Sequence, residues 1–184
     1  MRLTTPRIPP LPKSEWTGET RRHLEAFVSG ERSINVMATL AQHWDAAQRV
    51  WGDHVMGPTL TLKPRERELL ILRTGWLCRS NYEWGRHVLF ARQAGLTDED
   101  IRRVKSGPDD AGWSASDAAL LRAADELHNG HMVSDATWGA LSRHYEKKQL
   151  MDVVFTVGQY TAVCMALNSF GVQLEPGVTG LDGP

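Results

Sequence analysis

Residues 62–101 read LKPRERELLILRTGWLCRSNYEWGRHVLFARQAGLTDEDI, and this stretch decides the fold. Its apolar residues recur at the three- and four-residue spacing of α-helices, with charged residues between them. Pro64 suits a first helical turn, because the amide hydrogen that proline lacks is not needed there. The pattern predicts helices over 64–77, 80–94 and 97–104.

The same helical spacing continues on both sides of this stretch, and no segment has the alternating pattern of a strand. Four prolines in residues 1–14 predict an extended arm, and the glycine- and proline-bearing residues 172–184 predict an extended tail. Further helices are predicted over 15–28, 34–50, 114–129, 134–145 and 149–170. The sequence therefore predicts one all-α domain, residues 15–171, of about seven or eight helices.

The composition is that of a globular protein without a charge-driven partner. The chain has 184 residues, 41% of them hydrophobic, and its 21 Lys and Arg nearly balance its 22 Asp and Glu. We expect no nucleic-acid binding, since a polyanion binder needs an excess of basic residues. Two cysteines are too few for a disulfide framework, and no signal peptide opens the chain. These features favour a reducing cytoplasm.

Residues 153–170 form an uncharged run of 18 residues, close to the shortest length that spans a bilayer. Six polar side chains interrupt the run and would be costly in hydrocarbon, so we expect a buried helix and no membrane span. They are Thr156, Gln159, Tyr160, Thr161, Asn168 and Ser169. Seven of the 14 aromatic residues are Trp, a share typical of cores and interfaces, which favours a homo-oligomer.

The candidate site lies in the two helices of the deciding stretch. Glu83 and His87 are four residues apart and share a helix face, where a carboxylate and an imidazole can exchange a proton. Glu68 lies on the preceding helix, whose end leads directly into this one, so a hairpin would bring the three together. Three aromatic residues of the same helices would line the pocket: Trp76, Tyr82 and Trp84.

A structural interpretation of the same residues remains open. Ser80 and Glu83 have the spacing of a capping box, in which the serine hydroxyl and the glutamate carboxylate bond each other's backbone amides. Glu83 and His87 would then be an ordinary helix pair.

The stretch resembles the carboxymuconolactone decarboxylase family, part of the alkylhydroperoxidase-D-like all-helical superfamily. The run from Tyr82 to His87, Tyr-Glu-Trp-x-x-His, is its most distinctive part, and weaker similarity extends over about 34–170. In the peroxidase branch, a glutamate is followed twelve residues later by Cys-x-x-Cys, and a histidine lies four residues beyond the second cysteine. Glu68, Ser80, Glu83 and His87 occupy these positions here, so both cysteines are replaced.

The resemblance implies a helical bundle, a homo-oligomer of two or more chains, and a lyase that uses no metal or organic cofactor. Its substrate would be a small carboxylated lactone or organic acid. His87 or Glu83 would protonate the enolate left by decarboxylation, and Glu68 would orient the donor. The guanidinium groups nearest to these residues in sequence could bind a substrate carboxylate through paired hydrogen bonds. They belong to Arg73, Arg79 and Arg86.

Two other functions remain open, a thiol peroxidase and a non-enzymatic oligomeric binding protein. Peroxidase names are common in the superfamily, but a thiol mechanism would depend on Cys78. Its only possible partner, Cys164, is 86 residues away, so we expect Cα atoms more than about 7 Å apart and negligible peroxide turnover. We expect no metal site, because His128 and His131 lack further ligands at metal spacing.

Overall fold

The computed structural model describes residues 3–28, 34–48 and 60–184. These residues are helical with connecting turns, and none of them is in a strand, which confirms the all-α prediction. The α-helices are α1 (Gly18–Val28), α2 (Ile34–Leu40), α3 (Pro64–Leu77), α4 (Asn81–Gln93), α5 (Asp98–Ser106), α6 (Ala115–Gly130), α7 (Asp135–Leu141) and α8 (Lys147–Phe170).

Local chemistry accounts for most helix ends. Pro64 is the first residue of α3. Three hydroxyl side chains accept a hydrogen bond from an amide three residues on and so start α5, α6 and α7. They are Thr97, Ser114 and Ser134. At the other end, His131 (φ 58°) and Gly171 (φ 70°) leave the helical path in the left-handed region and stop α6 and α8.

The two largest differences from the predicted bounds are those of α7 and α2. α7 ends at Leu141, four residues before the predicted end. The Ser142 hydroxyl bonds the Trp138 carbonyl at 2.8 Å, and such side-chain bonds to the backbone compete with helix continuation. The helix predicted over 34–50 is α2, a 3-10 turn over Ala41–His43 and helical backbone over 44–48. Its last two predicted residues lie outside the described part.

α3 is the central helix of the bundle and packs against α4, α6 and α8. Its run from Leu69 to Leu72 is fully buried, which is typical of a helix surrounded by others rather than one lying on a surface. Trp84 of α4, Leu120 of α6 and Val153 of α8 complete the same core. A smaller cluster holds the N-terminal helices against α4 and α8, with Trp16, Leu24, Met37 and Leu167 among its members.

α8 has one face in the core and one face exposed. Its length and composition would suit a membrane span, yet half of its apolar window is buried inside the bundle, as in the core helix of a soluble protein. Val157 and Cys164 face inward, whereas Met151, Phe155 and Met165 are exposed.

The arm and the tail both return to the bundle. The amides of Arg7 and Ile8 bond the carbonyl of Phe170 at 2.8 and 3.1 Å, so the arm crosses the end of α8. Within the non-helical tail, the Leu181 amide bonds Asn81 Oδ1 at 3.1 Å, and Lys105 Nζ bonds the Leu181 carbonyl at 3.1 Å. The tail therefore covers the outer side of α4.

Candidate acid–base site

Three ionisable side chains meet where α3 and α4 pack together. α3 contributes Glu68, and α4 contributes Glu83 and His87 from consecutive turns. Arg79, at φ 51°, makes the left-handed turn that folds one helix back onto the other. His87 Nδ1 is 2.7 Å from Glu68 Oε2, and His87 Nε2 is 2.9 Å from Glu83 Oε1. The imidazole therefore lies between two carboxylates.

The surroundings keep this imidazole charged. Glu68 and Glu83 are 2% and 5% exposed, and His87 is nearly as buried. Burial alone would lower the pKa of His87, but the negative charges of Glu83 and Glu68 and their hydrogen bonds outweigh it and raise the pKa to about 10. At neutral pH His87 is therefore an imidazolium that donates from Nδ1 to Glu68, whereas its Nε2 forms an ion pair with Glu83 without a well-formed hydrogen bond.

Two aromatic rings contact the imidazole. The ring centroids of Tyr160 and Phe90 each lie 5.2 Å from that of His87, in edge-on arrangements. Burial, followed by the charges of Glu83 and Glu68, raises the pKa of the Tyr160 phenol well above its usual value. Tyr160 therefore stays a neutral hydroxyl donor beside the cluster.

Sequence analysis did not select Tyr160 for this site, although the spacing of polar residues on α8 indicates one. Thr156, Tyr160 and Cys164 recur every four residues within the apolar α8, and all three are buried. A polar stripe on the inward face of a core helix indicates a polar site inside the protein. In the sequence analysis, Thr156 and Tyr160 served only as evidence against a membrane span.

Arg67 is the cation closest to the cluster, and sequence analysis did not select it either. Its Nη2 is 3.4 Å from Glu68 Oε1, and its charge lowers the pKa of Tyr160. The side chain is 32% exposed, so it extends from the surface to the buried carboxylate. Its Nε is buried and finds no acceptor in the part of the chain that the structure describes. Arg67 thus has one unused hydrogen-bond donor, its Nε–H, at the edge of the site.

Two of the three arginines proposed for substrate binding are held by other partners. Arg73 is buried and forms two bonds with the Asp125 carboxylate, Nε–Oδ1 2.6 Å and Nη2–Oδ2 2.9 Å. Its Nη1 bonds the Val104 carbonyl at 2.7 Å, so Arg73 ties α3 to α5 and α6. The buried Arg86 contacts Glu175 at 3.6 Å. Arg79 is exposed at the helix turn. Arg73 and Arg86 are therefore engaged in structural contacts, which corrects the role expected for them.

The three aromatic residues proposed as pocket walls contact groups other than the His87 ring. Trp76 and Trp84 pack with centroids 5.6 Å apart, and the Lys105 ammonium lies 5.2 and 5.0 Å from the two rings. The Tyr82 hydroxyl donates to Glu175 Oε1 at 2.8 Å. The rings in contact with His87 are instead those of Tyr160 and Phe90.

The capping-box interpretation is wrong for this structure. Ser80 is the N-cap residue of α4 by its backbone, but its side chain makes no capping hydrogen bond. Glu83 turns toward His87 instead of back to the Ser80 amide. The Ser80 hydroxyl is buried beside the Cys164 thiol, without a well-formed hydrogen bond.

The two cysteines lie on helices that pack against each other. Cys78 caps the end of α3, and the Cys164 thiol of α8 is the largest influence on its pKa, which it lowers. Cys78 Sγ also lies 3.8 Å from Nδ1 of His128. Among the described residues, no group of three or more His, Cys, Asp or Glu could hold a metal ion.

Comparison with known proteins agrees with this fold. Residues 45–126 match the carboxymuconolactone decarboxylase family, and no curated protein matches the chain. An uncharacterized peroxidase-related protein from Ralstonia eutropha JMP134, described as an alkylhydroperoxidase AhpD core, is 19% identical, with a TM-score of 0.79 over 92% of this chain and 93% of its own. A peroxidase-related protein from Silicibacter sp. TM1040 is 16% identical, with a TM-score of 0.79 over 96% and 97%.

A third solved structure, the debrominase Bmp8 in complex with 2,3,4-tribromopyrrole, is 10% identical, with a TM-score of 0.72 over 94% of each chain. Identities this low show a shared fold and leave the reaction open. The solved structures show that the chain has the all-helical fold of these proteins, and residues 45–126 are similar to the carboxymuconolactone decarboxylase family.

Proposed function

We propose that this protein is a cofactor-independent lyase that decarboxylates a small carboxylated lactone or organic acid by acid–base chemistry. The observation that carries the proposal is the buried imidazolium of His87 between Glu68 and Glu83. The similarity of residues 45–126 to the carboxymuconolactone decarboxylase family supports it. The reducing cytoplasm, which keeps both cysteines as thiols, is the proposed location.

The proposed mechanism assigns a different task to each group. As the substrate carboxylate leaves as carbon dioxide, the electrons of the broken C–C bond move into an enolate, which must then be protonated at carbon. Glu68 accepts the Nδ1–H of His87, so the proton available for transfer is the one on Nε2, which faces Glu83 as an ion pair. A donor with a pKa of about 10 is close in acidity to an enol, which favours transfer to an enolate over loss to water.

Arg67 is the proposed contact for the substrate anion. Two buried carboxylates repel an approaching anion, so binding requires a cation at the edge of the site. Arg67 is partly exposed and already neutralises part of the charge of Glu68. Its unused Nε–H and the neutral Tyr160 hydroxyl are donors of the kind that a carboxylate accepts.

The test is turnover of a panel of small carboxylated lactones and β-keto acids in D2O, followed by NMR. We expect one deuterium at the carbon that loses carbon dioxide, because the enzyme delivers a solvent-exchanged proton there. His87→Gln should lower kcat by about 10²- to 10⁴-fold, the usual contribution of a general acid. His144→Gln, at an exposed histidine, is the control and should have no effect.

Arg67→Met should raise KM by about 10- to 100-fold, since a hydrogen bond to a charged group contributes about 1.5–3 kcal/mol. Arg79→Met removes an exposed arginine from the helix turn and should leave KM unchanged. Turnover that survives His87→Gln would contradict the acid–base assignment. A chain that binds these acids without deuterium incorporation would instead be the non-enzymatic binding protein.

A further inference from the structure

We propose that Glu175, in the C-terminal tail, is a positioning residue that holds His87 against Glu68 by fixing the rotation of α4 about its axis. Glu175 acts through Tyr82 and Arg86, the α4 residues that it contacts. Its effect on turnover rests on the proposed lyase reaction, whereas its effect on the contact between His87 and Glu68 does not.

Glu175 lies where α4, α2 and the tail meet. Its Oε1 accepts hydrogen bonds from the Tyr82 hydroxyl at 2.8 Å and from the Asn35 amide of α2 at 3.2 Å. Its Oε2 lies 3.6 Å from Nη1 of Arg86, and the two side chains are only 17% and 7% exposed, so little solvent weakens their attraction. The Asn35 side chain also donates to the Gln173 carbonyl at 3.0 Å, so α2 anchors this part of the tail.

Two pairs of α4 residues, offset by one position, connect this contact to the candidate site. Tyr82 and Arg86 are four residues apart and share the helix face that Glu175 holds. Glu83 and His87 each follow one residue later, so their face is turned by about 100° around the same helix. Because both faces belong to one helix, a rotation that separates Arg86 from Glu175 also moves His87.

Arg86 provides a second connection, through side chains. Its guanidinium lies over the Phe90 ring, 5.7 Å from the ring centre. Phe90 contacts the His87 ring edge-on, with ring centroids 5.2 Å apart. The ion pair with Glu175 therefore holds a guanidinium that packs against one wall of the imidazole.

A small rotation of α4 is enough to disturb the site. Because side-chain atoms lie about 5–6 Å from the helix axis, a rotation of about 10° moves them by about 1 Å. The bond from His87 Nδ1 to Glu68 Oε2 is 2.7 Å long, and an increase of that size would break it. The rotation of α4 therefore has to be held closely for the proton donor to stay in place.

The rest of the tail packs on the same helix, and one glycine makes this possible. A Cβ atom at Gly85 would lie 2.7 Å from the Thr179 carbonyl oxygen and 2.8 Å from Leu174 Cδ2, closer than a Cβ atom can approach them. Gly85→Ala should therefore lift the tail from α4 without changing any charge. Alanine favours a helix more than glycine does, so a weaker helix would not explain the result.

The contact between His87 and Glu68 is tested by ¹H–¹⁵N NMR of the full-length chain labelled at histidine, which needs no substrate. The Nδ1–H proton of His87, assigned by its absence in His87→Gln, should resonate far downfield, as protons in short bonds to carboxylates do. Glu175→Gln keeps the size of the side chain but removes the charge that attracts Arg86. We expect the signal to move upfield or to be lost to exchange with water, because the bond to Glu68 lengthens.

Two further variants separate positioning from charge and from folding. Gly85→Ala should change the signal in the same way, and it decides the question if Glu175→Gln does not fold. Asp182→Asn is the matched control, because it removes an equal charge from an exposed side chain of the same tail and should leave the signal unchanged. A wild-type signal in both Glu175→Gln and Gly85→Ala would overturn the proposal, and so would an equal change in Asp182→Asn.

Turnover gives a second readout, which depends on the lyase proposal. Glu175→Gln should lower kcat by up to about 100-fold, the cost of a misplacement of about 1 Å. KM should stay unchanged, because Arg67, the proposed contact for the substrate anion, lies on α3. A raised KM with an unchanged kcat would contradict the positioning role. If the wild type turns over none of the acids while the NMR signal responds as expected, the lyase proposal fails and the positioning role stands.

Discussion

His87 should make the stability of the protein depend on pH in the alkaline range. Its pKa rises from about 6.5 in the unfolded chain to about 10 in the fold, where it faces Glu68, Glu83, Tyr160 and the nearby Arg67. Below about pH 6.5 both states hold the proton, and its stabilising contribution is complete. Between the two pKa values only the folded state holds it, so the free energy of unfolding falls by about 1.4 kcal/mol per pH unit.

We expect the wild type to lose about 2 to 3 kcal/mol more stability than His87→Gln between about pH 7 and pH 9. Urea unfolding of both proteins at the two pH values measures the difference. Other groups that titrate at alkaline pH, such as Cys78 and Lys105, are present in both proteins, so their effect on stability cancels in the comparison. Equal losses in the two proteins would mean that His87 has no raised pKa in the fold.

At this scale the sequence was sufficient for residues joined by short connections. Glu68, Glu83 and His87 lie on two helices separated by three residues, so spacing alone predicted their contact. Arg67 and Tyr160 could not be found in this way. Arg67 looked like part of a solvated helix face, and Tyr160 reaches the cluster only through the packing of α8 against α3. The catalytic role of the cluster remains a prediction.

At the scale of elements, the buried arginine of α3 should be a main determinant of stability. Arg73 joins α3 to Asp125 of α6 and to the Val104 carbonyl at the end of α5. Arg73→Met would leave a mostly buried carboxylate and a backbone carbonyl without donors. Removing one partner of such a pair costs about 3–5 kcal/mol. We expect a loss of that size in the free energy of unfolding, measured with urea.

The chain offers a matched control in Arg122, which pairs with Asp109 at 2.6 Å on the surface. Both residues are exposed, so Arg122→Met should cost less than about 1 kcal/mol. If the two substitutions lower the free energy of unfolding by similar amounts, the buried Arg73–Asp125 pair contributes no more to stability than the exposed pair does.

α3 also shows why the hydrophobic periodicity of a helix does not always predict which side chains face solvent. Glu68 and Arg73 are charged residues within the helical pattern of α3, yet both are buried, because α4, α6 and α8 surround the helix. A charged residue is normally a sign of the solvent side, and it is compatible with the core only when a partner is present. The partners here, His87 and Asp125, come from other helices, so the pattern within α3 could not reveal them.

At the scale of the whole molecule, the exposed face of α8 favours self-association. Met151, Phe155, Gly158, Ala162 and Met165 recur at spacings of four and three residues and are all exposed, Met165 by 64%. This is the seam spacing of paired helices, and the small residues at its centre permit close approach. Met151 and Met165 each lie seven residues from Gly158. A twofold axis at Gly158 would therefore place each methionine against the other in a second copy of the chain.

We therefore expect a homodimer or a larger assembly containing that pair. Light scattering at micromolar concentration should report at least twice the 20.6 kDa of one chain. Met165→Glu would bring like charges into the seam and should yield monomers, while Met132→Glu is the control. Met132 is 72% exposed but lies between α6 and α7, away from the stripe, so its variant should keep the assembly. A wild-type mass of one chain, or an assembly that tolerates Met165→Glu, would contradict the α8 interface.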